Sequence, residues 1–482
     1  MLNISADKLT LDQRYCKGTL RYTKASLMVL FFYLLWGDFA FQLMETVVPA
    51  IMPLQLKELG ASNAVIGILL STTPAFFNFF MNPVVSFRSD NLRTAWGRRK
   101  PFLMVATPFV ALFLMLLSFA PEIGGRLNGT FLLNWLKLAP HTVMIATLGL
   151  ALILFQVANF CMLPIYYYLV VDVVPDAFMA RFQALFRVVA ALSAYLFNTF
   201  LYGHAMTHAK PIFIGCAMFY LVGFLWMCLK VKEGDYPPPV HDKRLGLIGA
   251  ASVYARECYS HRHYLLFYAR NAVGSFSAVM SVYVVFVLRD EVGLSLDFIG
   301  KINGWSALIS AALLYPLGAL ADRYSPVRIA LIGTILLVPL PLLNFMFLHD
   351  ARSATILMLV GLPIGTMLAA SDLPLYALIP PRERYGQFGS ANQLVCALTT
   401  MLAAVMAGCF MDVVTQRGTI VGNYRMLYLW NFAVLMVQAV LMYLLYRSWL
   451  RYGGPSNYRP PAVGGTTTPS LCSPSICQGR TD

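Results

Sequence analysis

Three carboxylates and one arginine stand inside long apolar runs, where water is scarce. Asp38 and Glu45 share one run with Gln42 between them, Arg270 and Asn271 lie in a second, Asp372 in a third, and Gln156 and Asn159 in a fourth. A charge buried at bilayer depth costs about 2.5–3.5 kcal/mol on insertion scales, so it marks a pathway or a pair. The spacing of Asp38, Gln42 and Glu45 puts them on one helix face, with Asp38 near mid-run. Desolvation favours the uncharged form of a carboxylate. Such a group can take up a proton when open to one side and release it on the other, or join oxygen ligands around sodium. The plain alternative is that these side chains only tie helices together, through interhelical hydrogen bonds of about 0.6 kcal/mol on average. Asp38 is the first candidate for ion coupling and Glu45 the second. Arg270 and Asp372 each lie about two turns from the same end of their runs, which allows a buried pair.

The runs that carry these residues set the class of molecule. Hydrophobic residues fill 59% of 482 positions and charged residues 12%, against about 25% charged in an ordinary soluble domain. Twelve apolar runs, at approximately 27–52, 62–87, 101–120, 143–171, 182–206, 211–231, 264–288, 297–320, 326–348, 353–379, 387–413 and 425–449, are long enough for a hydrocarbon core of about 30 Å. The fold class is an all-α membrane protein of twelve transmembrane helices.

The formal charge of +14 does not mark a nucleic-acid binder. The 36 Lys and Arg alternate loop by loop and form no basic, aromatic-interleaved module. With the N-terminus in the cytoplasm, 25 of them fall in cytoplasmic segments and 9 in outside loops, the bias that orients membrane proteins. Both termini are therefore expected on the cytoplasmic side of the cell membrane. Residues 1–26 read as a retained polar tail, 27–231 as a first six-helix bundle, 232–263 as a cytoplasmic central loop, 264–450 as a second bundle, and 451–482 as a disordered tail rich in Gly, Pro, Ser and Thr. Within the loop, Leu245 to Tyr259 is mildly amphipathic and suits the membrane surface. The nine cysteines form no metal-type grouping, and His261 and His263 read as interfacial side chains. No glycine loop with Lys and Ser/Thr is present to cradle a nucleotide. No cofactor is expected beyond a coupling ion, H+ or Na+.

The chain is built twice. A shift of 233 superposes Gly60 on Gly293, Ile66 on Ile299, Gly67 on Gly300 and Pro83 on Pro316, and a one-residue slip brings Asp90 onto Asp322. Two parallel six-span repeats describe a secondary transporter. The turn after the second span, with Ser89, Asp90, Gly97, Arg98, Arg99, Lys100, Pro101 and Phe102, has an echo after the eighth. Together these features resemble the major facilitator superfamily, and more narrowly its sucrose–proton and glycoside–cation symporter branch. Two positions differ from that branch: Ser86 stands where a glycine is usual, though Gly318 holds the slot in the second half, and Asn91 replaces a basic residue.

The resemblance implies that spans 1, 4, 7 and 10 line a central cavity, which places all eight residues named first along it. The turn itself suits a gate, because a carboxylate at a helix end accepts hydrogen bonds from a neighbouring N-terminus and pairs with Arg. Asp90 with Arg93, Arg98 and Arg99, and Asp322 with Arg323 and Arg328, are expected to latch the cytoplasmic end. Arg187, following the turn with Asp172 and Arg181, is expected to join Asp172 there. For the solute, Trp36, Tyr166, Tyr167, Tyr168 and Trp305 could pack on sugar faces while amides and carboxylates bind hydroxyls. The expected function is cation-coupled uptake of a sugar or glycoside by a monomer working by alternating access, without enzymatic activity. An exporter of drugs or metabolites on the same fold, or a transporter-like receptor or assembly factor, is the alternative.

Overall fold

The computed structural model describes residues 15–92, 94, 96–127, 139–234, 256–381, 384–416 and 423–461, with side chains described for these except at 82, 83, 86, 87, 90, 91, 416, 423 and 456. Among the described residues, twelve helices are long and apolar enough to cross a membrane. They are α1 (Lys24–Glu58), α2 (63–91), α3 (Lys100–Leu127), α4 (Pro140–Val173), α5 (Asp176–His204), α6 (Ala209–Lys230), α7 (Arg262–Glu291), α8 (Leu296–Tyr324), α9 (Pro326–Phe347), α10 (Ala351–Leu378), α11 (Tyr385–Gln416) and α12 (Met426–Arg451). Without water to satisfy backbone groups, a helix is the form an apolar run takes in lipid.

The doubling of the sequence is visible in the turns. Gly60 and Gly293 both take a left-handed backbone, with φ of 81° and 75°, a conformation glycine adopts without steric penalty. Ser62 and Ser295 then cap α2 and α8 through the amides of Val65 and Phe298, at 3.3 and 3.2 Å. Next, Gly67 and Gly300 allow close crossings between the halves. A Cβ at Gly67 would sit 2.6 Å from the Ala404 carbonyl oxygen, and one at Gly300 would lie closer still to that of Asn198.

Helices α1 to α6 form one bundle, in which α3 packs on α4 and α6, α1 on α5 and α6, and α2 on α4. In the second bundle α7 packs on α11 and α12, and α10 on α8 and α9. The bundles meet where α2 crosses α11 and α5 crosses α8. Both described chain ends lie at the same end of the molecule: Lys17 pairs with Asp176 at the start of α5, and Tyr458 donates to the Ile379 carbonyl after α10, at 2.9 Å. At the remote end the apolar core of the first bundle runs on into Tyr283, Phe286, Ala404, Met411 and Tyr424 of the second. At the termini-bearing end a separate core, with Tyr264, Phe267, Leu375, Phe388 and Trp449, belongs wholly to the second bundle.

One expectation about the ends is corrected and the other gains detail. The polar segment before α1 contains a hairpin, β1 (Cys16–Lys17) and β2 (Leu20–Arg21), and α1 begins at Lys24 behind a capping box of Thr23 and Ser26. The segment from 452 to 461 is packed, not disordered: after α13 (Gly454–Asn457), Tyr458 meets a buried His263 at 3.0 Å and the Pro461 carbonyl accepts from Tyr264 at 2.9 Å. The average polarity of the tail concealed two tyrosines with a groove to fill. Residues 462–482, and 245–255 of the amphipathic stretch, lie outside the described residues; 256–259 form one helical turn.

Candidate functional site

The first bundle holds a chain of polar side chains at membrane depth. Asp38 is completely buried on α1; its Oδ1 accepts from Gln42 at 3.3 Å and its Oδ2 has no hydrogen-bond partner. Two turns beyond Asp38, Glu45 accepts from Asn159 of α4 at 2.6 Å. Gln156 donates to the Leu69 carbonyl at 2.9 Å. That carbonyl is available because residues Ile68–Thr72 of α2 form a π-turn, in which the hydrogen-bond ladder slips by one residue. Sequence spacing placed Gln156 and Asn159 on one face; the π-turn gives the Gln156 amide nitrogen its acceptor, while Gln156 Oε1 and Asn159 Oδ1 remain buried without partners.

The second bundle has a matching network. Arg270 is 4% exposed, donates to Asn271 at 2.7 Å and lies 3.0 Å from Asp372, whose side chain is 41% exposed. The approach is close but poorly directed, since Asp372 Oδ1 makes no hydrogen bond of good angle. Asn271 donates to Asn392 of α11 at 2.9 Å, and Asn392 donates to Tyr376 at 3.3 Å. Thus Asp38 and Asn271, paired by the repeat, each anchor a buried polar chain in their own half.

A cavity of about 410 Å³ is lined by α2, α4, α7 and α11, not by the expected spans 1, 4, 7 and 10, and none of the eight residues expected along it is among its lining residues. Its polar wall includes Ser71 and Asn78 of α2, Ser275 of α7, and Gln393 and Thr400 of α11. These were missed in the sequence because each is uncharged and common. A signal existed: Ser71 and Asn78, and likewise Gln393 and Thr400, are seven apart and so share a helix face. Of the aromatic candidates, Tyr167 adjoins Gln42 and feels the charges of Asp38 and Glu45. The others do different work. Trp36 packs among Phe32, Phe39, Phe219 and Trp226, Trp305 meets Tyr195, Tyr168 lies under the Arg99 guanidinium, and Tyr166 is core.

The latch expected at the termini-bearing end is built differently from expectation. Asp172, at the end of α4, accepts from Arg98 Nη2 at 2.7 Å and from Arg99 Nε at 3.1 Å. Arg99 also donates to Ser89. Glu233, beyond α6, accepts from the main-chain amides of Arg98, Arg99 and Lys100 at 2.9, 3.1 and 2.6 Å, and so caps α3. This network ties helices of one bundle to each other. Arg187 is exposed and, among the described residues, makes no ion pair with Asp172, and Arg181 lies over the Phe178 ring. Arg93 and the Asp90 side chain lie outside the described residues. In the second half Asp322, Arg323 and Arg328 are exposed, and among the described residues no ion pair joins them; Arg323 lies over Tyr324.

The contacts that join the bundles were not read from sequence. Asp412 of α11 accepts from the main-chain amides of Asn63 and Ala64, Tyr283 donates to the Asn63 carbonyl at 2.9 Å, and Tyr424 donates to Asn63 Oδ1 at 2.9 Å. Lys57 donates to Tyr424 in turn. Burial raises the Tyr424 pKa, so the phenol remains a donor. Nearer mid-helix, Thr72 donates to the Met401 carbonyl at 3.1 Å.

Two six-helix bundles meeting around a polar cavity define a membrane transporter. The chain belongs to the Major Facilitator Superfamily, whose model matches residues 34–404. Among solved structures it resembles a bacterial homologue of the human lysosomal transporter Spinster, inward-facing and unoccupied, at 14% identity and a TM-score of 0.65 over 89% of this chain and 99% of that one. It also resembles the nucleoside transporter NupG (12%, TM-score 0.64, 87% and 99%) and a D-xylose–proton symporter (13%, TM-score 0.58, 87% and 96%). At these identities the likeness is one of fold. No curated protein matches the sequence.

Proposed function

We propose that this protein takes up a sugar or glycoside in symport with H+ or Na+, by alternating access, with both termini on the cytoplasmic side of the cell membrane. The observation that carries the reading is Asp38, wholly buried at mid-membrane with one carboxylate oxygen unpartnered. An oxygen left in that condition is costly unless something visits it. A proton or a sodium ion is the visitor a coupled transporter supplies. Neutral hydroxyl and amide groups line the cavity between the bundles, which suits an uncharged polyol better than an ion. The D-xylose–proton symporter among the structural neighbours supports the same direction.

Alternating access needs two bundles that are rigid inside and separable between. The Arg98, Arg99, Asp172 and Glu233 network supplies rigidity in the first bundle, while shared core at the remote end and separate core at the termini-bearing end support an inward-open state. Reconstitution in liposomes with imposed proton or sodium gradients and a panel of labelled sugars and nucleosides tests the reading. Gradient-driven sugar accumulation is expected. Accumulation of none of the sugars under either gradient overturns it.

A further inference from the structure

A second pocket, of about 260 Å³, lies away from the transport cavity, between the start of α1 and the end of α6. Its rim carries Arg21, Lys230 and Lys232; its floor is Val29, Leu30 and Tyr33. The hairpin builds the rim. Cys16 pairs with Arg21 across the strands, and the Tyr22 amide donates to the Tyr15 carbonyl at 2.9 Å. These bonds fix the backbone of Arg21 and Tyr22 just ahead of the capped first turn of α1.

Three cations around one small pocket repel each other unless an anion joins them. Among the described residues no carboxylate pairs with Arg21, Lys230 or Lys232; the neighbouring Glu233 is spent on the amides that begin α3. Tyr22 also lines the pocket, and its hydroxyl is buried with no hydrogen-bond partner. Burial holds its pKa at about 12, so it stays a donor.

The floor distinguishes the ligand. It continues onto side chains that face outward from α1 and α6: Met28, Val29, Phe32 and Leu229 are all more than half exposed. In a spanning helix such apolar side chains meet acyl chains. A site with a cationic rim and a floor open to the bilayer fits a phosphate that is covalently joined to hydrocarbon.

We infer that this pocket holds the headgroup of an anionic phospholipid from the leaflet at the termini-bearing end. Arg21, Lys230 and Lys232 surround the phosphate, Tyr22 donates to it, and the acyl chains leave over Val29 and Tyr33. The inference is independent of which solute the central cavity carries.

The test is native mass spectrometry of the purified full chain in detergent, titrated with phosphatidylglycerol, with phosphatidylcholine of the same acyl chains, and with glycerol 3-phosphate. We expect phosphatidylglycerol to bind at least tenfold tighter than phosphatidylcholine, without competition from millimolar glycerol 3-phosphate. The triple variant Arg21→Gln/Lys230→Gln/Lys232→Gln loses that preference. A control removing equal charge at the remote end, Lys210→Gln/Lys301→Gln/Arg352→Gln, keeps it. Tyr22→Phe, which alters neither charge nor fold, weakens phosphatidylglycerol about threefold or more. Equal loss in the control means diffuse charge attraction, and competition by glycerol 3-phosphate means a free-phosphate site. Either result, or no headgroup preference in the parent protein, overturns the inference.

Discussion

Asp412 of α11 accepts hydrogen bonds from the main-chain amides of Asn63, at 2.7 Å, and Ala64, at 3.0 Å. A carboxylate of one bundle thus caps the first turn of α2 in the other, where the helix dipole favours negative charge. The bond cannot survive if the bundles part at this end. It therefore sets part of the free-energy difference between the two faces of the transport cycle.

Replacing this cap is expected to loosen the remote end. Asp412→Asn keeps the shape but removes the charge and one acceptor, a loss of about 1–2 kcal/mol. That corresponds to roughly a 5- to 30-fold shift toward opening. Labelling of a cysteine introduced in the cavity wall, by a reagent applied from that side, measures it; unchanged labelling would count against the seal.

A steric wedge should act at the same place from the other crossing. Gly300→Ala drives a Cβ into the Asn198 carbonyl oxygen, closer than packed helices tolerate. We expect α8 to move off α5, with cross-linking between cysteines replacing Tyr195 and Trp305, whose rings meet across this crossing, falling severalfold while the protein remains folded.

Asp38→Asn tests coupling directly. The amide cannot exchange a proton and offers sodium a weaker ligand, yet it fills the same buried space. Gradient-driven accumulation should be lost, whereas exchange of labelled for unlabelled solute across liposomes should continue. A variant that still concentrates solute removes Asp38 from the coupling role.

The Arg270 and Asp372 pair is expected to respond asymmetrically. Arg270 is buried and Asp372 is partly exposed, so water can compensate the carboxylate but not the guanidinium. Asp372→Asn should cost about 1–3 kcal/mol, because it strands a buried charge, and Arg270→Met/Asp372→Leu should cost less than the single change. Thermal unfolding in detergent decides the order.

Asp172→Asn should destabilise the first bundle more than Glu233→Gln. Asp172 is the shared counter-charge of two guanidiniums, with Arg99 almost fully buried, and its loss is worth about 2–3 kcal/mol. The side-chain amide introduced by Glu233→Gln would still offer an oxygen to the α3 amides, so the effect there should be about 1 kcal/mol. Equal melting temperatures for the two variants would contradict this assignment.

The basic turn between α2 and α3 shows how far residue types alone can mislead. Its charges, read along the chain, suggest pairing with Asp90, whose side chain lies outside the described residues. In space Arg98 turns to Asp172, 74 residues on, and Arg99 joins it there, while the cap of α3 comes from Glu233, whose surroundings in sequence are an ordinary charged helix end. Partner choice among several carboxylates depends on distances of a few ångströms, and sequence separation carries no information about those. The same holds for Asp412, which reads as one more polar residue near the end of an apolar run.

Sequence by itself determined the number of helices, the doubling and the carboxylates that stand inside apolar runs. Each of these follows from local physics: an apolar run must be a helix in lipid, a repeated glycine and serine make a repeated turn, and a charge inside such a run is expensive wherever it packs. Tertiary structure decided which side chains meet. It placed neutral Ser71, Asn78, Gln393 and Thr400 around the cavity, left one oxygen of buried Asp38 unpartnered, and sealed one end through Asn63. Those outcomes depend on how twelve helices cross, and the energy of a crossing is spread over many contacts that have no signature in any one segment.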